Sequence, residues 1–249
     1  MLSRLIVSLC LLFYLPSQAQ EGECLLKAMH ATNHGRWFNT MTFVQQTAFY
    51  RNDSLIRKST WYEALRLPHD LRIDFDDLSK GNYVLYKKDS TYRFQNHALR
   101  SVSADINPFL FFIGGMYYMP FDSVLHLLKS KGYDVNKGYR TTWEGRPTYV
   151  VGRSSEKDSS NSIWLDIENR WFVRLVEKNN RGQVIDAHMK AHRKLPKGSS
   201  ETKVDIYVNG SLVQVETYDQ IRTDVPLDDA LFDPLKADSV KHWFKNEHR

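Results

Sequence analysis

The chain has 249 residues, of which 42% are hydrophobic and 13% aromatic, and its formal net charge is +5. The basic residues are spread along the chain without a block of like charges, so the sequence does not predict a nucleic-acid-binding surface. This length is enough to bury the core of one large domain.

Residues 1–19 have the layout of a secretory signal peptide. Arg4 supplies the positive charge, residues 5–15 form an apolar run, and a small-residue site precedes the expected cleavage near Ala19. A membrane anchor is the alternative, but the run is short and ends in a cleavage pattern. We therefore predict an exported, periplasmic protein whose residues 20–249 form a single domain with no transmembrane segment.

Cleavage at this site would leave Cys24 as the only cysteine. It would also lower the formal charge from +5 to +4, because one arginine is lost. With one cysteine, no intramolecular disulfide can form, so the stability of the domain must come from its core.

Residues 21–38 predict an amino-terminal helix, since Leu25, Leu26 and Met29 recur at helical spacing. His30 and His34 stand at positions i and i+4, a spacing that can hold a metal ion. No third ligand follows in an extended zinc motif. The sequence therefore favours solvated histidines and no metal site.

From Met41 onwards the sequence predicts β-strands, because β-branched and aromatic residues dominate and turn clusters separate them. In the segment 71–76, apolar and charged residues alternate strictly, which is typical of a sheet with one covered face. In the strand before it, Trp61, Glu63 and Leu65 share one face. The predicted strands of this first half are 42–50, 55–67, 71–75, 83–86 and 91–94.

An apolar segment without a charged residue, from Pro108 to Phe121, interrupts the strands. It is too short to cross a bilayer core, which needs about 20 apolar residues, so protein or a ligand must cover it. Gly114 and Gly115 predict a sharp bend or close packing. Apolar residues at helical spacing then continue to a glycine at position 132, and we call residues 107–131 the helical insert.

Strands resume after the insert, and the strongest hairpin signal of the chain is Asn209-Gly210. The segment 194–203, rich in glycine, serine and proline, predicts a mobile loop. In total the sequence predicts a mainly β (α+β) fold of about eleven antiparallel strands with two or three helices. The strands predicted in this half are 133–143, 146–153, 163–166, 171–176, 184–192, 204–208 and 212–216.

Local signatures of catalysis are missing from the sequence. It has no phosphate-binding glycine loop, no Gly-x-Ser-x-Gly elbow and no His-Glu-x-x-His pair. Asp74, Asp76 and Asp77 are close enough in sequence to shift one another's pKa. On an alternating strand that leads into a turn, however, a solvated edge is the better interpretation.

Five features of the sequence, in this order and spacing, carry a resemblance to a known family. They are residues 67–74, the strand 82–86 with the following Tyr92 and Phe94, the start of the insert at 107–111, the pair 163–166 and Arg174-Leu175, and the closing Leu231-Phe-Asp-Pro234. On these features the whole mature chain resembles the LolA/LolB-like superfamily of periplasmic lipoprotein carriers. The resemblance implies an unclosed β-barrel of about eleven antiparallel strands, with helices that form a lid and acyl chains held between sheet and lid.

We therefore predict a non-enzymatic protein that binds or transports lipid or lipoprotein acyl chains in an apolar cavity, without a cofactor or metal and as a monomer. Alternate residues of a strand face opposite sides of the sheet, and the sequence leaves open which of the two sets faces the cavity. Two alternatives stay open, an envelope sensor or scaffold that binds a protein partner and an exported hydrolase with dispersed catalytic residues. The predicted ligand-binding residues are Phe43, Trp61, Leu65, Ile73, Tyr83, Leu85, Tyr92 and Phe94 from the sheet, and Phe109, Phe112, Met116 and Phe121 from the insert.

Overall fold

The computed structural model describes residues 18–104 and 107–246. Residues 1–17 of the predicted signal peptide lie outside this part of the chain. The α-helices are α1 Gln18–Asn33, α2 Pro108–Phe112 and α3 Phe121–Ser130. Short 3-10 helices cover Leu78–Lys80, Gly115–Tyr118, Asp229–Phe232 and Trp243–Asn246.

The strands form one antiparallel sheet of 13 strands and a separate two-stranded ladder. The strands are β1 Thr40–Arg51, β2 Ser54–Arg66, β3 Asp70–Phe75, β4 Tyr83–Lys87, β5 Ser90–Gln95, β6 Ala98–Ser103, β7 Gly138–Trp143, β8 Arg146–Val151, β9 Ser162–Asp166, β10 Phe172–Lys178, β11 Val184–Lys190, β12 Arg193–Lys194, β13 Ser199–Ser200, β14 Lys203–Val208 and β15 Ser211–Thr223.

The large sheet is curved and unclosed. Its strands run in the order β6-β5-β4-β3-β2-β1-β15-β14-β11-β10-β9-β8-β7, so β6 and β7 are the edges. The long final strand β15 pairs with β1, which joins the two halves of the chain at the centre of the sheet. The helical insert connects the two edge strands and therefore passes from one edge of the sheet to the other.

The sheet has more strands than the eleven predicted. Strand β6 was not predicted because all six of its residues are exposed, so it carries no pattern of one buried face. Conversely, the strand predicted to begin at Tyr133 begins at Gly138. Tyr133 and Val135 are buried in the core and look like alternating strand residues, but the chain turns there, with Lys137 N bonded to the Asp134 carbonyl oxygen.

The main core lies on the inner face of the sheet, which packs against the insert and α1. Strand parity is clear in β3 and β4, where Ile73 and Val84 belong to this core. Tyr83 and Leu85, which flank Val84 along β4, belong to a separate cluster on the outer face. Period two thus assigns each residue of a strand to one of two covered faces.

The carboxy-terminal segment covers part of the outer face and buries an ion pair there. Arg72 contacts Asp74 at 2.7 Å, and His242 Nε2 lies 3.0 Å from the same carboxylate. Arg72 also donates to the Ala237 carbonyl oxygen at 2.7 Å. The prediction of a solvated acidic edge is therefore wrong for Asp74, which is 4% exposed, because residues distant in sequence cover it.

Candidate functional site

The helical insert is built from short helices separated by a bend. The Asn107 side chain caps α2 by accepting a hydrogen bond from Phe109 N at 2.9 Å, and Pro108 follows at the first helical position. The bend falls at Gly114, whose φ is +149° and where a Cβ would stand 2.1 Å from the Trp37 indole nitrogen. The glycine is required both by the backbone conformation and by this close approach.

Polar side chains from α1 and the segment after it attach to backbone carbonyls of the insert. His30 Nε2 lies 2.8 Å from the Met119 oxygen, and His34 Nδ1 lies 2.8 Å from the Tyr117 oxygen. Trp37 Nε1 donates to the Ile113 oxygen at 2.9 Å. The i, i+4 histidine pair therefore holds the insert, and His30 is buried rather than solvated.

The same two histidines do not form part of a metal cluster. Their rings stack with centroids 5.3 Å apart. Within residues 18–104 and 107–246, no group of three or more His, Cys, Asp or Glu is arranged to hold a metal ion. In the same part of the chain, no helix has the length and apolar character that crossing a bilayer requires.

A cavity of about 290 Å³ lies between the insert and the inner face of the sheet, near the lower limit of roughly 300 Å³ for small-molecule sites. Most of the lining side chains are apolar or aromatic. They are Trp37, Trp61, Ile73, Pro108, Phe109, Phe112, Ile113, Tyr117, Trp171, Phe172, Leu175, Ile185, Ala187, Met189, Val204, Ile206 and Tyr218.

The predicted ligand-binding residues fall into three groups. The cavity is lined by Trp61, Ile73, Phe109 and Phe112. Phe43, Leu65, Met116 and Phe121 belong to the same core or pack against it without lining the cavity. Tyr83, Leu85, Tyr92 and Phe94 form the outer-face cluster with Ala237. These four do not reach the cavity, because they stand at the other parity of β4 and β5.

Three glutamates form a carboxyl cluster on the cavity wall, and we define it as Glu63, Glu201 and Glu216. Glu216 accepts hydrogen bonds from Tyr218 Oη at 2.7 Å and from Gln214 Nε2 at 2.5 Å. Burial raises the pKa of all three carboxyl groups above its ordinary value, that of Glu201 to about 7. The cavity thus combines apolar walls with carboxyl groups that resist ionisation.

The cavity reaches the surface near Arg170, an exposed residue that also lines a neighbouring cavity of about 220 Å³. Beside it, the ring of His192 stacks on Trp171 with centroids 4.7 Å apart, and His192 Nε2 lies 2.8 Å from the Phe172 carbonyl oxygen. Burial lowers the pKa of His192 to about 4. His192 is therefore neutral at physiological pH.

The segment predicted to be a mobile loop carries the β12–β13 ladder and part of the site. Ser199 and Glu201 line the cavity, and a Cβ at Gly198 would stand 2.6 Å from the Trp37 ring. The composition predicted a mobile loop, and the structure places this segment against Trp37 on the wall of the cavity.

The carboxyl cluster was absent from the predicted site. The sequence held one signal for it, since Glu63 shares a strand face with Trp61 and Leu65, and an acid between two inward apolar residues is unusual. Glu201 and Glu216 gave no comparable signal. Glu216 comes near Glu63 only because β15 pairs with β1, which in turn pairs with β2. Glu201 lies just before β14, the other neighbour of β15 in the sheet.

No family model matches this sequence, and no curated protein sequence matches it. Three solved structures share its fold over nearly their whole length. A DUF1329 family protein from Desulfovibrio piger has a TM-score of 0.60 at 13% identity, covering 87% of this chain and 97% of that one. A putative outer membrane lipoprotein-sorting protein domain from Vibrio parahaemolyticus has a TM-score of 0.58 at 11% identity, covering 88% and 99%.

The third structure is a LolA superfamily protein from Nitrosomonas europaea, with a TM-score of 0.52 at 10% identity, covering 85% of this chain and 96% of that one. At such low identity the likeness concerns the fold. The chain has a LolA-like fold, which confirms the fold class expected from the sequence, with 13 strands in its sheet.

Proposed function

We propose that this protein is an exported, periplasmic and non-enzymatic binder of lipid or lipoprotein acyl chains. The observation that carries the proposal is the apolar cavity of about 290 Å³ between the curved sheet and the helical insert. The LolA-like fold supports it, since one of the similar structures is described as a putative outer membrane lipoprotein-sorting domain.

Burial of an alkyl chain supplies the affinity in this proposal. Each methylene group removed from water contributes about 0.8 kcal/mol, so a chain held along Ile73, Phe109 and Phe112 needs few polar contacts. The loss of translational, rotational and conformational entropy when the ligand binds offsets part of this favourable free energy.

Entry and release of a chain would require the insert to move. The hydrogen bonds from His30, His34 and Trp37 to insert carbonyls hold it closed. Each contributes about 1 kcal/mol, so together they set a modest barrier that a membrane or a partner protein can lower.

Native mass spectrometry of gently purified protein tests the proposal directly. We expect co-purifying lipid, and after delipidation we expect saturable binding of a fluorescent fatty acid. Protein that carries no lipid and binds no alkyl ligand, but captures an envelope protein, would instead support a sensor or scaffold. Turnover of an ester substrate that one polar substitution abolishes would support a hydrolase.

A cavity-filling variant sharpens this test. Ala187 lines the cavity between its register partners Leu175 and Ile206, so Ala187→Phe is expected to weaken alkyl-chain binding by at least about tenfold. Ala28→Phe, at an exposed position of α1, is the matched control and should bind as the unmodified protein does. Equal binding by both variants would place the ligand elsewhere and contradict the proposed cavity.

A further inference from the structure

Glu63 is a buried carboxyl group whose hydrogen-bonding capacity is unused. It lies in β2 between the inward residues Trp61 and Leu65, lines the cavity and is 3% exposed. Among the described residues it has no hydrogen-bond partner, whereas Glu216 accepts two hydrogen bonds. Since a buried polar group without a partner is costly, Glu63 is available to a group that enters the cavity.

The strands around the cluster supply no compensating positive charge. In the part of the chain that the structure describes, no lysine or arginine forms an ion pair with Glu63, Glu201 or Glu216. The register partner of Glu63 in β1 is Phe43, and that of Glu216 is Thr47. Gln214 and Tyr218 of β15 bond to Glu216, and all four of these neighbours are uncharged.

The other elements that line the cavity also supply no positive charge that pairs with the carboxyl cluster. The insert has no charged residue from 108 to 121. Glu177 of β10 adds a fourth carboxyl, which accepts a hydrogen bond from Tyr133 Oη at 3.0 Å. At the surface end, Arg170 bonds to Thr32 and His192 to the Phe172 carbonyl, so neither is paired with the carboxyl cluster.

A wall that only packed alkyl chains would be served by apolar residues, because burying carboxyl groups without a counter-charge costs free energy. We propose that the carboxyl cluster recognises the ammonium nitrogen of an amphiphile whose alkyl chain occupies the apolar part of the cavity. This inference rests on the proposed function and specifies its ligand.

The inferred chemistry dictates an order of affinity for ligands with one alkyl chain. An ammonium group gains charge-assisted contacts when the glutamates ionise, a hydroxyl group gains a neutral hydrogen bond, and a carboxylate gains no charge-assisted contact and is repelled by any glutamate that is ionised. Binding of the cation also favours ionised glutamates, so protons leave the cluster for the buffer when the ligand binds.

Delipidated protein is titrated with dodecylammonium, dodecyltrimethylammonium, dodecanol and laurate, each below its micelle concentration. We expect the two cations to bind at least about tenfold more tightly than laurate. The affinity for dodecanol should lie between that for the cations and that for laurate. Tighter binding of dodecylammonium than of its trimethyl analogue would show that the site prefers a primary amine, and the reverse order that it prefers a quaternary one.

The outcomes separate this inference from the function on which it rests. If none of the four ligands binds, the proposed function fails. If all four bind equally, or laurate binds best, the cavity holds alkyl chains but the ammonium inference is overturned.

Glu63→Gln keeps the shape of the side chain but can no longer ionise when a cation binds, and it is expected to reduce the preference for ammonium over dodecanol by about tenfold. Glu168→Gln, on an exposed turn, should leave that preference unchanged. An equal change in both variants would contradict a role for Glu63.

A second measurement uses the unmodified protein, so its result does not depend on whether the Glu63→Gln variant folds. Calorimetric titrations near pH 7, in two buffers with different ionisation enthalpies, report protons released on binding. We expect release with dodecyltrimethylammonium, which has no proton of its own, and none with dodecanol. No release with the quaternary cation would overturn the inference.

Discussion

The indole nitrogen of Trp37 donates a 2.9 Å hydrogen bond to the carbonyl oxygen of Ile113, which joins residues 76 positions apart in the chain. The bond is buried, and it connects the segment between α1 and β1 to the centre of the helical insert. Trp37 also lines the cavity. One side chain thus both forms the wall of the site and holds its cover.

Trp37→Phe should loosen the insert. Loss of the indole donor leaves the Ile113 carbonyl oxygen buried and without this partner, and we expect the free energy of unfolding to fall by about 1–3 kcal/mol. Hydrogen exchange should accelerate in residues 110–118. Trp143→Phe, in the cluster with Trp164 on the other side of the sheet, is the control and should leave exchange in the insert unchanged.

Gly114→Ala should distort the insert more than its backbone conformation alone would predict. Gly114 has a φ of +149° and would place a Cβ 2.1 Å from the Trp37 indole, whereas Gly145 has a φ of +78° and open space around it. Gly145→Ala therefore gives the cost of a left-handed φ without a close contact, about 1 kcal/mol. We expect Gly114→Ala to lose at least about 2 kcal/mol in denaturant unfolding. Equal losses would show that the contact with Trp37 is unimportant.

Asp74→Asn should be destabilising at neutral pH and less so in acid. Burial alone would raise the pKa of Asp74, but hydrogen bonds and charge from His242 and Arg72 outweigh it, so the pKa is lowered. The ionised pair stabilises the fold above the unfolded pKa of about 3.9, and this is lost as pH falls through the lower folded pKa.

We expect Asp74→Asn to lose about 3 kcal/mol at pH 7, with the gap to the unmodified protein narrowing below about pH 3. Denaturant unfolding of both proteins at pH 7 and below about pH 3 measures this difference in the free energy of unfolding. Asp122→Asn, at an exposed position in α3, is the control. A gap that does not depend on pH would mean that the charge of Asp74 is irrelevant.

Glu201→Gln should stabilise the protein at alkaline pH. Burial raises the pKa of Glu201 to about 7, against about 4.3 in the unfolded chain. Because the folded state binds more protons between these values, its stability falls as pH rises from about 4 to about 7. We expect a gain of about 1–2 kcal/mol at pH 8 and none at pH 4. A gain of equal size at both pH values would indicate a packing effect instead.

Much of the fold could be predicted from the sequence because its signals are local. The alternation in residues 71–76, the Asn209-Gly210 hairpin and the uncharged stretch from Pro108 to Phe121 each reflect neighbouring residues, and each marks an element of the structure. The glycine pair at 114 and 115 was predicted to allow a bend or close packing, and it does both.

The candidate site was less predictable because it depends on which face of each strand turns inward. Trp61 and Ile73 were assigned to the cavity and line it, but Tyr83 and Phe94 stack on each other on the outer face, with centroids 4.3 Å apart. Both faces of this part of the sheet are covered, so apolar residues occur on both. The apolar pattern therefore cannot distinguish the cavity side from the side under the carboxy-terminal segment.

The sequence by itself determined a mainly β chain with an apolar helical insert that protein or ligand must cover, because periodicity and helix-end chemistry are properties of adjacent residues. Only the tertiary structure decided what the insert covers. Pairing of β15 with β1 brings Glu216 close to Glu63, the segment before β14 adds Glu201, and Trp37 attaches the insert above them. These contacts join residues far apart in sequence, so no local pattern records them.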